Sequence, residues 1–98
     1  MAKRVTWSRK AKEDRREILE YWEKRNGDKV YSRKLAKQFQ EKVKYIVQYN
    51  YIGTETDIED VRMTVCGNYL LFYEIDEKYV KILTVWDSRR DPEELTLY

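Results

Sequence analysis

The charged residues that follow the last apolar run of the chain are the best candidates for chemistry. Residues 85–95 read VWDSRRDPEEL, so Asp87, Arg89 and Arg90 come shortly after Trp86. An arginine guanidinium is a rigid fork of donors that matches two phosphate oxygens at once, so converging arginines suit an anionic transition state or an acidic partner segment. Surface ion pairs between these arginines and neighbouring acids, such as Asp87 or Asp91, are an equally good interpretation.

Arg62 is a further candidate because it lies within a strand-like segment. In DVRMTVC, apolar residues alternate with polar ones, which predicts a strand with one buried face and places Arg62 on the other face. If this strand and the strand before Asp87 lie in one sheet, we expect Arg62 to approach Arg89 and Arg90. The alternative is an exposed ion pair with Asp60.

The chain contains no histidine and one cysteine, Cys66. The side chain whose unperturbed pKa lies nearest neutrality is therefore absent, and proton transfer would fall to Asp, Glu, Lys or Tyr. The sequence predicts neither a disulfide framework nor a zinc site. Its acidic residues are mostly scattered along helix faces and turns, so we expect no catalytic metal ion and no cofactor.

Length and composition are those of one small domain, which we assign to residues 1–98. The 98 residues are 42% hydrophobic and 39% charged, which favours a globular chain with a densely ionic surface. No apolar run approaches the roughly 20 residues that a membrane-spanning helix needs. The lone cysteine and the lack of a signal-peptide pattern predict a cytoplasmic protein without membrane contact.

The charge is divided unevenly between the two halves of the chain. Residues 1–50 hold 15 Lys and Arg against 7 Asp and Glu, whereas residues 51–98 hold 5 against 11. A basic half attracts nucleic acid or an acidic protein, and charge alone does not distinguish them. Solvated faces of two helices are the simpler interpretation.

The spacing of apolar residues predicts the elements that position these side chains. A short strand around residues 4–7 leads to Ser8 as a helix N-cap, and a first amphipathic helix runs to about Arg25. Gly27 and Asp28 are expected to end that helix and cap a second, more basic one that runs to about Tyr49. The segment NYIGTETD then reads as a loop.

Beyond that loop the period changes from helical to two residues. The segments DVRMTVC, YLLFYEI and YVKILTVW predict three antiparallel strands, the first two joined by a tight Gly67-Asn68 turn. The predicted fold class is α+β with the order β-α-α-β-β-β. In it, a helical hairpin covers one face of an antiparallel sheet, and the opening strand joins the edge of that sheet.

With this order in place, the chain resembles the RelE/ParE family of bacterial toxin-antitoxin toxins. The similarity runs through VTWSRKAKEDRREILEYW, YSRKLAKQFQEKVKYI, DVRMTVCGNYLLFYEI and ILTVWDSRRDPEEL, about nine tenths of the chain. The resemblance implies a small cytoplasmic toxin that a cognate antitoxin keeps silent. It also implies one of two activities, since RelE-like members cleave messenger RNA in the ribosomal A site and ParE-like members poison DNA gyrase by binding it.

The resemblance carries nuclease roles onto particular residues. Arg62 and Arg90 would bind the reacting phosphate, Arg89 would contact the RNA, and Asp87 or the C-terminal Tyr98 would transfer a proton. Asp87 stands where some relatives have histidine, and two further cationic positions of the best-known nucleases are occupied here by Thr64 and Leu70.

The function predicted from the sequence is a toxin that acts as a metal-independent, ribosome-dependent mRNA endoribonuclease. A gyrase inhibitor without enzymatic activity is the alternative, and an inactive antitoxin-binding member is a third. The expected partners are a cognate antitoxin together with the ribosome and mRNA, or with gyrase in the alternative. We expect the antitoxin to cover part of the sheet near Arg62.

Overall fold

A computed structural model describes residues 3–97 of the protein. The elements follow the predicted order, with one extra two-residue strand and a short 3-10 turn at Pro92–Glu94. Their bounds are β1 Arg4–Trp7, α1 Arg9–Asn26, α2 Val30–Gln48, β2 Thr54–Glu55, β3 Val61–Cys66, β4 Tyr69–Ile75 and β5 Tyr79–Asp87. The α+β fold class predicted from the sequence is confirmed.

The sheet has five strands in the order β1-β5-β4-β3-β2. Strands β3, β4 and β5 form the predicted antiparallel meander, and β1 joins its edge as expected. The pairing of β1 with β5 is parallel, so the sheet is mixed rather than wholly antiparallel. Parallel neighbours need a long connection, which the whole chain between β1 and β5 supplies. Strand β2 arises within the segment predicted as a loop, where Thr54 and Glu55 pair with Met63 and Arg62.

Helix α1 is bounded by the two predicted caps. The Ser8 hydroxyl accepts a hydrogen bond from the Ala11 backbone N–H at 3.0 Å and donates to the Leu83 carbonyl at 2.8 Å, so the cap also ties the helix to β5. Gly27 takes the left-handed conformation, with φ of 73°, that ends a helix at little steric cost. These contacts fix the position of α1 over the sheet.

The start of α2 differs from the prediction by one residue. Lys29, not Asp28, is the capping position, and its side chain accepts no hydrogen bond there. The Asp28 carboxylate still receives the Val30 backbone N–H at 3.0 Å, so it serves the helix terminus from one residue further out. Because an aspartate can satisfy an N–H two residues ahead in a turn, sequence alone does not separate the two registers.

Two apolar clusters lie on opposite faces of the sheet. The larger cluster joins α1 and α2 to one face and centres on Phe39, Ile46, Leu71, Tyr73 and Ile82. On the other face, Val61, Phe72, Leu83 and Trp86 pack with Met63, Leu70 and two leucines of the C-terminal segment, Leu95 and Leu97. The helical hairpin therefore covers one face only, as predicted.

A partly buried polar contact holds the end of β5 against α1. The register of β4 and β5 shifts between Phe72 and Tyr73, and Thr84 beside the shift is fully buried. The Asp14 carboxylate accepts hydrogen bonds from the Thr84 hydroxyl at 2.5 Å and from the Val85 N–H at 3.1 Å, and it pairs with Lys10 at 3.0 Å. This contact orients the last residues of β5 and the arginines that follow them.

Candidate functional site

The C-terminal end of β5 and one side of α1 enclose a cleft of about 290 Å³. Three acidic residues, two arginines, two tyrosines and two aliphatic residues line it. They are Asp14, Glu17, Ile18, Tyr21, Tyr69, Val85, Asp87, Arg89 and Arg90. Four of these residues form one face of α1, since residues three and four apart are neighbours on a helix. They are Asp14, Glu17, Ile18 and Tyr21. The cleft therefore contains the charged segment that the sequence singled out.

Asp87 and Arg89 form a bidentate pair at the mouth of this cleft. The Arg89 Nε and Nη2 donate to the two carboxylate oxygens of Asp87 at 3.0 and 2.9 Å, and the Arg89 backbone N–H donates to Oδ1 at 2.9 Å. These hydrogen bonds from Arg89 hold the pKa of Asp87 below its ordinary value. A carboxylate stabilised in this way is a weaker base at neutral pH than a free one.

Replacing Asp87 with asparagine will remove part of the acid sensitivity of the fold. A folded-state pKa below the unfolded one stabilises the protein above the ordinary carboxyl pKa of about 3.9, and that stabilisation is lost as pH falls through the folded pKa. We therefore expect the difference in unfolding free energy between wild type and Asp87→Asn to be largest above about pH 5 and to shrink below about pH 4. Urea titrations at several pH values measure it, and a difference that grows on acidification would contradict this assignment.

Arg90 lies beside the pair but has its own partners. Its guanidinium stacks over the Trp86 ring at 4.4 Å from the centroid and approaches Glu94 at 3.4 Å. Both arginine side chains remain more than half exposed, at 57% for Arg89 and 58% for Arg90. They are thus held in place by neighbours and still accessible to a partner.

Tyr69 and Tyr21 form the aromatic side of the cleft. Tyr69 is buried and its hydroxyl accepts the indole N–H of Trp22 at 2.7 Å, and burial raises the pKa of this phenol. Tyr21 packs edge-on against Trp22, yet it is 52% exposed. The cleft therefore has one buried phenol in its wall and one exposed phenol at its rim.

Arg62 lies at a different place and has a structural role there. Its Nη1 donates to the carbonyl oxygens of Gly53 at 2.7 Å and Tyr51 at 3.2 Å, and its Nη2 pairs with Glu55 at 3.1 Å. The guanidinium also stacks on the Tyr51 ring at 4.9 Å. Only 18% of the side chain is exposed. Arg62 therefore anchors the segment between α2 and β3.

Truncation of Arg62 will accordingly reduce stability whether or not the chain acts on nucleic acid. Two backbone carbonyls lose a charged donor and Tyr51 loses its stacked cation, which together are worth about 1–3 kcal/mol. We expect Arg62→Lys to recover little of this, because an ammonium lacks the planar fork. Urea unfolding tests the prediction, and an Arg62→Ala variant as stable as wild type would contradict it.

The predicted approach of Arg62 to Arg89 and Arg90 does not occur. Arg62 pairs with Tyr73 and Asp87 pairs with Tyr69, four residues apart along β4 and on opposite sides of it. Standard strand spacings place the two backbone positions about 16 Å apart. Each arginine instead has its own acid, namely Glu55, Asp87 and Glu94. Ion pairing, the alternative left open by the sequence, is thus the observed state, although Asp60 and Asp91 are not the partners.

Proton-transfer chemistry finds little support in the surroundings of the titratable groups. Burial raises the pKa values of Cys66, Tyr69 and Tyr73, while hydrogen bonding lowers that of Asp87. All these changes move away from neutrality, opposite to what a general acid or base requires. Tyr98, the other predicted proton carrier, lies outside the described residues. Within residues 3–97 no cluster of three or more His, Cys, Asp or Glu is arranged to hold a metal ion.

The residues that sequence reasoning missed are those of α1 and β2. Asp14, Glu17 and Tyr21 share one helix face, a pattern legible from their spacing, but their meeting with β5 depends on the packing of helix on sheet. Glu55 belongs to the segment that the sequence predicts as a loop, and the short β2 pairing brings it beside Arg62. No local sequence signal predicts that pairing.

Comparison with known proteins decides the family. A family profile described as the ParE toxin of the type II toxin-antitoxin system, parDE, matches residues 5–92. The chain belongs to this ParE toxin family. Such a toxin is the toxic half of a two-protein system, so the predicted cognate antitoxin is a partner that membership implies.

A solved structure supports the ParE-type fold. A chain from a chromosomal ParDE toxin-antitoxin system of P. aeruginosa superposes with a TM-score of 0.77 at 20% sequence identity. The match covers 88% of this ParE-family chain and 96% of the other. A search of curated proteins found no match. Among residues 3–97, neither helix of the toxin has the length and apolarity to cross a membrane.

Proposed function

We propose that this ParE-family toxin acts in the cytoplasm by binding and poisoning DNA gyrase, without catalysing a reaction itself. A cognate antitoxin would hold it inactive until needed. The observation that carries the proposal is the separation of Arg62 from Arg89 and Arg90, each paired with a carboxylate. These are the cations that a nuclease of the wider family would need around one phosphate.

The electrostatics of the separated arginines favour binding over phosphate chemistry. A transition-state phosphate is stabilised by several oriented donors in one place, each worth roughly 3 kcal/mol. Here the Arg62 donors are used by two backbone carbonyls and Glu55. Asp87, which the sequence predicts as a proton carrier, has a pKa below its ordinary value. Cleavage of messenger RNA would therefore require these arginines to leave their present partners and converge on one phosphate.

The cleft beside α1 has the properties of a protein-docking site. Arginine and tyrosine are enriched among residues that dominate binding energy at interfaces. Arg89, Arg90 and Tyr21 each expose at least half of their side chain at its rim, while Tyr69 and Val85 lie buried behind them. We propose that Arg89 and Arg90 contact gyrase through this rim.

The second face of the sheet is a separate candidate for antitoxin binding. No helix packs on it among the described residues, and its apolar cluster is covered by Leu95 and Leu97 of the C-terminal segment. Val65, on the same face of β3, is 55% exposed. Arg90 stacks on Trp86 of this cluster, so a partner that buries this face would also hinder access of the target to the Arg90 side of the rim. Val61 and Met63 of this face flank Arg62 in β3, although the Arg62 side chain lies on the opposite face of the sheet.

Two assays on one preparation of the full chain test the proposal. Purified toxin is expected to inhibit supercoiling of relaxed plasmid by bacterial gyrase in a dose-dependent manner, and its antitoxin to reverse the effect. Primer extension on translating ribosomes is expected to show intact messenger. Codon-specific cleavage that disappears in an Arg62→Ala/Arg90→Ala double variant, with gyrase unaffected, would instead establish the ribonuclease predicted from the sequence. Inactivity in both assays would contradict the proposal and favour the third hypothesis, an antitoxin-binding protein without toxic activity.

A further inference from the structure

A second cavity, of about 470 Å³, lies between the two helices and the end of β1. Its lining combines three cations with an indole, an amide and one aliphatic side chain. These residues are Trp7, Lys12, Arg15, Gln40, Val43 and Lys44. None of the six is acidic, in contrast to the cleft at the end of β5. We refer to this cavity as the helical groove.

The helical groove is separate from the cleft proposed to dock gyrase. At about 100° per residue, Lys12 and Arg15 lie on the side of α1 opposite to Asp14, Glu17 and Tyr21. The two cavities share no lining residue. A ligand in the groove therefore does not compete directly for Arg89 or Arg90.

The cations of the groove lack acidic partners. Within residues 3–97, Lys12, Arg15 and Lys44 form no ion pair and no side-chain hydrogen bond. Elsewhere in the chain, arginines beside a cavity are neutralised, as Arg62 is by Glu55. Three uncompensated positive charges around one cavity create a local attraction for anions.

Trp7 gives the groove a second chemical feature. It is half-buried, packs against the core of the helical face and lines the cavity beside the cations. Its ring is therefore held by the fold rather than free to rotate. A fixed aromatic surface beside a positively charged groove is the combination that binds single-stranded nucleic acids, in which bases stack while the backbone follows the cations.

We propose that the helical groove binds a single-stranded nucleic acid, with phosphates on Lys12, Arg15 and Lys44 and one base against Trp7. An acidic peptide would satisfy the cations but leave the indole without a specific partner, so the nucleic acid fits both features. The volume of about 470 Å³ falls within the range of about 300–1,000 Å³ found for ligand sites. This inference does not depend on gyrase being the target.

Fluorescence anisotropy of a labelled oligothymidylate of about 20 nucleotides tests the proposal with the full chain. Release of counterions from three contacts to a single strand gives a salt slope of about −2, so affinity should fall roughly 20-fold between about 50 and 200 mM salt. The triple variant Lys12→Ala/Arg15→Ala/Lys44→Ala should bind at least about tenfold more weakly at the lower salt and lose most of that slope.

A matched control separates the groove from general positive charge. Lys29→Ala/Arg33→Ala/Lys34→Ala removes the same charge from exposed positions at the other end of the helical hairpin. It should change the affinity by less than about twofold if the groove supplies the contacts. Equal losses in both variants, or no binding by wild type at the lower salt, would overturn the proposal.

Two substitutions test the role of Trp7, and competing ligands test the chemical class of the ligand. Trp7→Leu should weaken binding at least about fivefold with an unchanged salt slope, because the stacking surface is lost and the cations remain. Trp7→Phe should retain most of the affinity, which would show that substitution at this position does not unfold the protein. Oligodeoxyuridylate and oligouridylate differ only in the sugar, so the ratio of their affinities identifies the sugar that the groove prefers. A duplex of the same length that binds more tightly than the single strand, or displacement by polyglutamate at equal charge, would overturn the assignment.

Discussion

Gly53→Ala is expected to destabilise the protein by about 3 kcal/mol or more, because the new methyl group has no space. A Cβ at this position would lie 2.8 Å from the Met63 carbonyl oxygen and 2.7 Å from the Tyr73 hydroxyl. Tyr73 is fully buried, and its hydroxyl accepts the Gly53 N–H at 3.0 Å and donates to the Asn50 carbonyl at 2.8 Å. The substitution therefore strains the core and disrupts these hydrogen bonds together.

The natural control is Gly27→Ala at the end of α1. Gly27 has a left-handed φ of 73° but nothing within 4 Å of the added Cβ, so only backbone strain of about 1–2 kcal/mol applies. Urea unfolding of both variants compares the two effects. If Gly53→Ala lowered the free energy of unfolding no more than Gly27→Ala does, the segment between α2 and β3 would not pack against Tyr73 as described.

The double variant Arg89→Ala/Arg90→Ala is expected to raise the toxin concentration needed for half-inhibition of gyrase supercoiling at least about 30-fold. Truncating dominant interface residues commonly has effects of this size or larger. Both guanidinium groups are more than half exposed, so the fold should tolerate their removal. Loss of activity would then report on target binding rather than on unfolding.

Arg33→Ala/Lys34→Ala is the matched control for that experiment. It removes two positive charges from exposed positions of α2, away from the cleft. We expect its potency to stay within about threefold of wild type, since charge far from an interface acts mainly through screened, long-range attraction. If the Arg89→Ala/Arg90→Ala variant were as potent as wild type, the docking site for gyrase would lie elsewhere on the surface.

The elements of the fold were predictable because their signals are local. Ser8 and Gly27 mark the ends of α1 by side-chain and backbone chemistry that acts over a few residues. Gly67, with φ of 62°, allows the tight turn between β3 and β4. The parallel direction of β1 against β5 has no such local signature, so the sequence predicted that β1 joins the edge of the sheet but not its direction.

The candidate site was predictable only in part, because it depends on long-range geometry. Asp87, Arg89 and Arg90 were recognised from their position after an apolar run, and they do line a cleft. Whether Arg62 joins them depends on the strand order and register. Arg62 lies on β3, two strands from β5, and its partner on β4 is four residues from the partner of Asp87. Its contacts with Gly53 and Glu55 depend on a two-residue strand that carries no sequence pattern.

The measurement that tests the central claim most directly is the trapping of covalent gyrase-DNA complexes by the purified toxin. Supercoiled plasmid, gyrase and toxin are incubated, the reaction is stopped with detergent, and protein is digested before electrophoresis. We predict toxin-dependent linear plasmid that requires gyrase, is suppressed by the antitoxin and is lost in Arg89→Ala/Arg90→Ala. Absence of linear plasmid, together with A-site cleavage of messenger by the same preparation, would contradict the account.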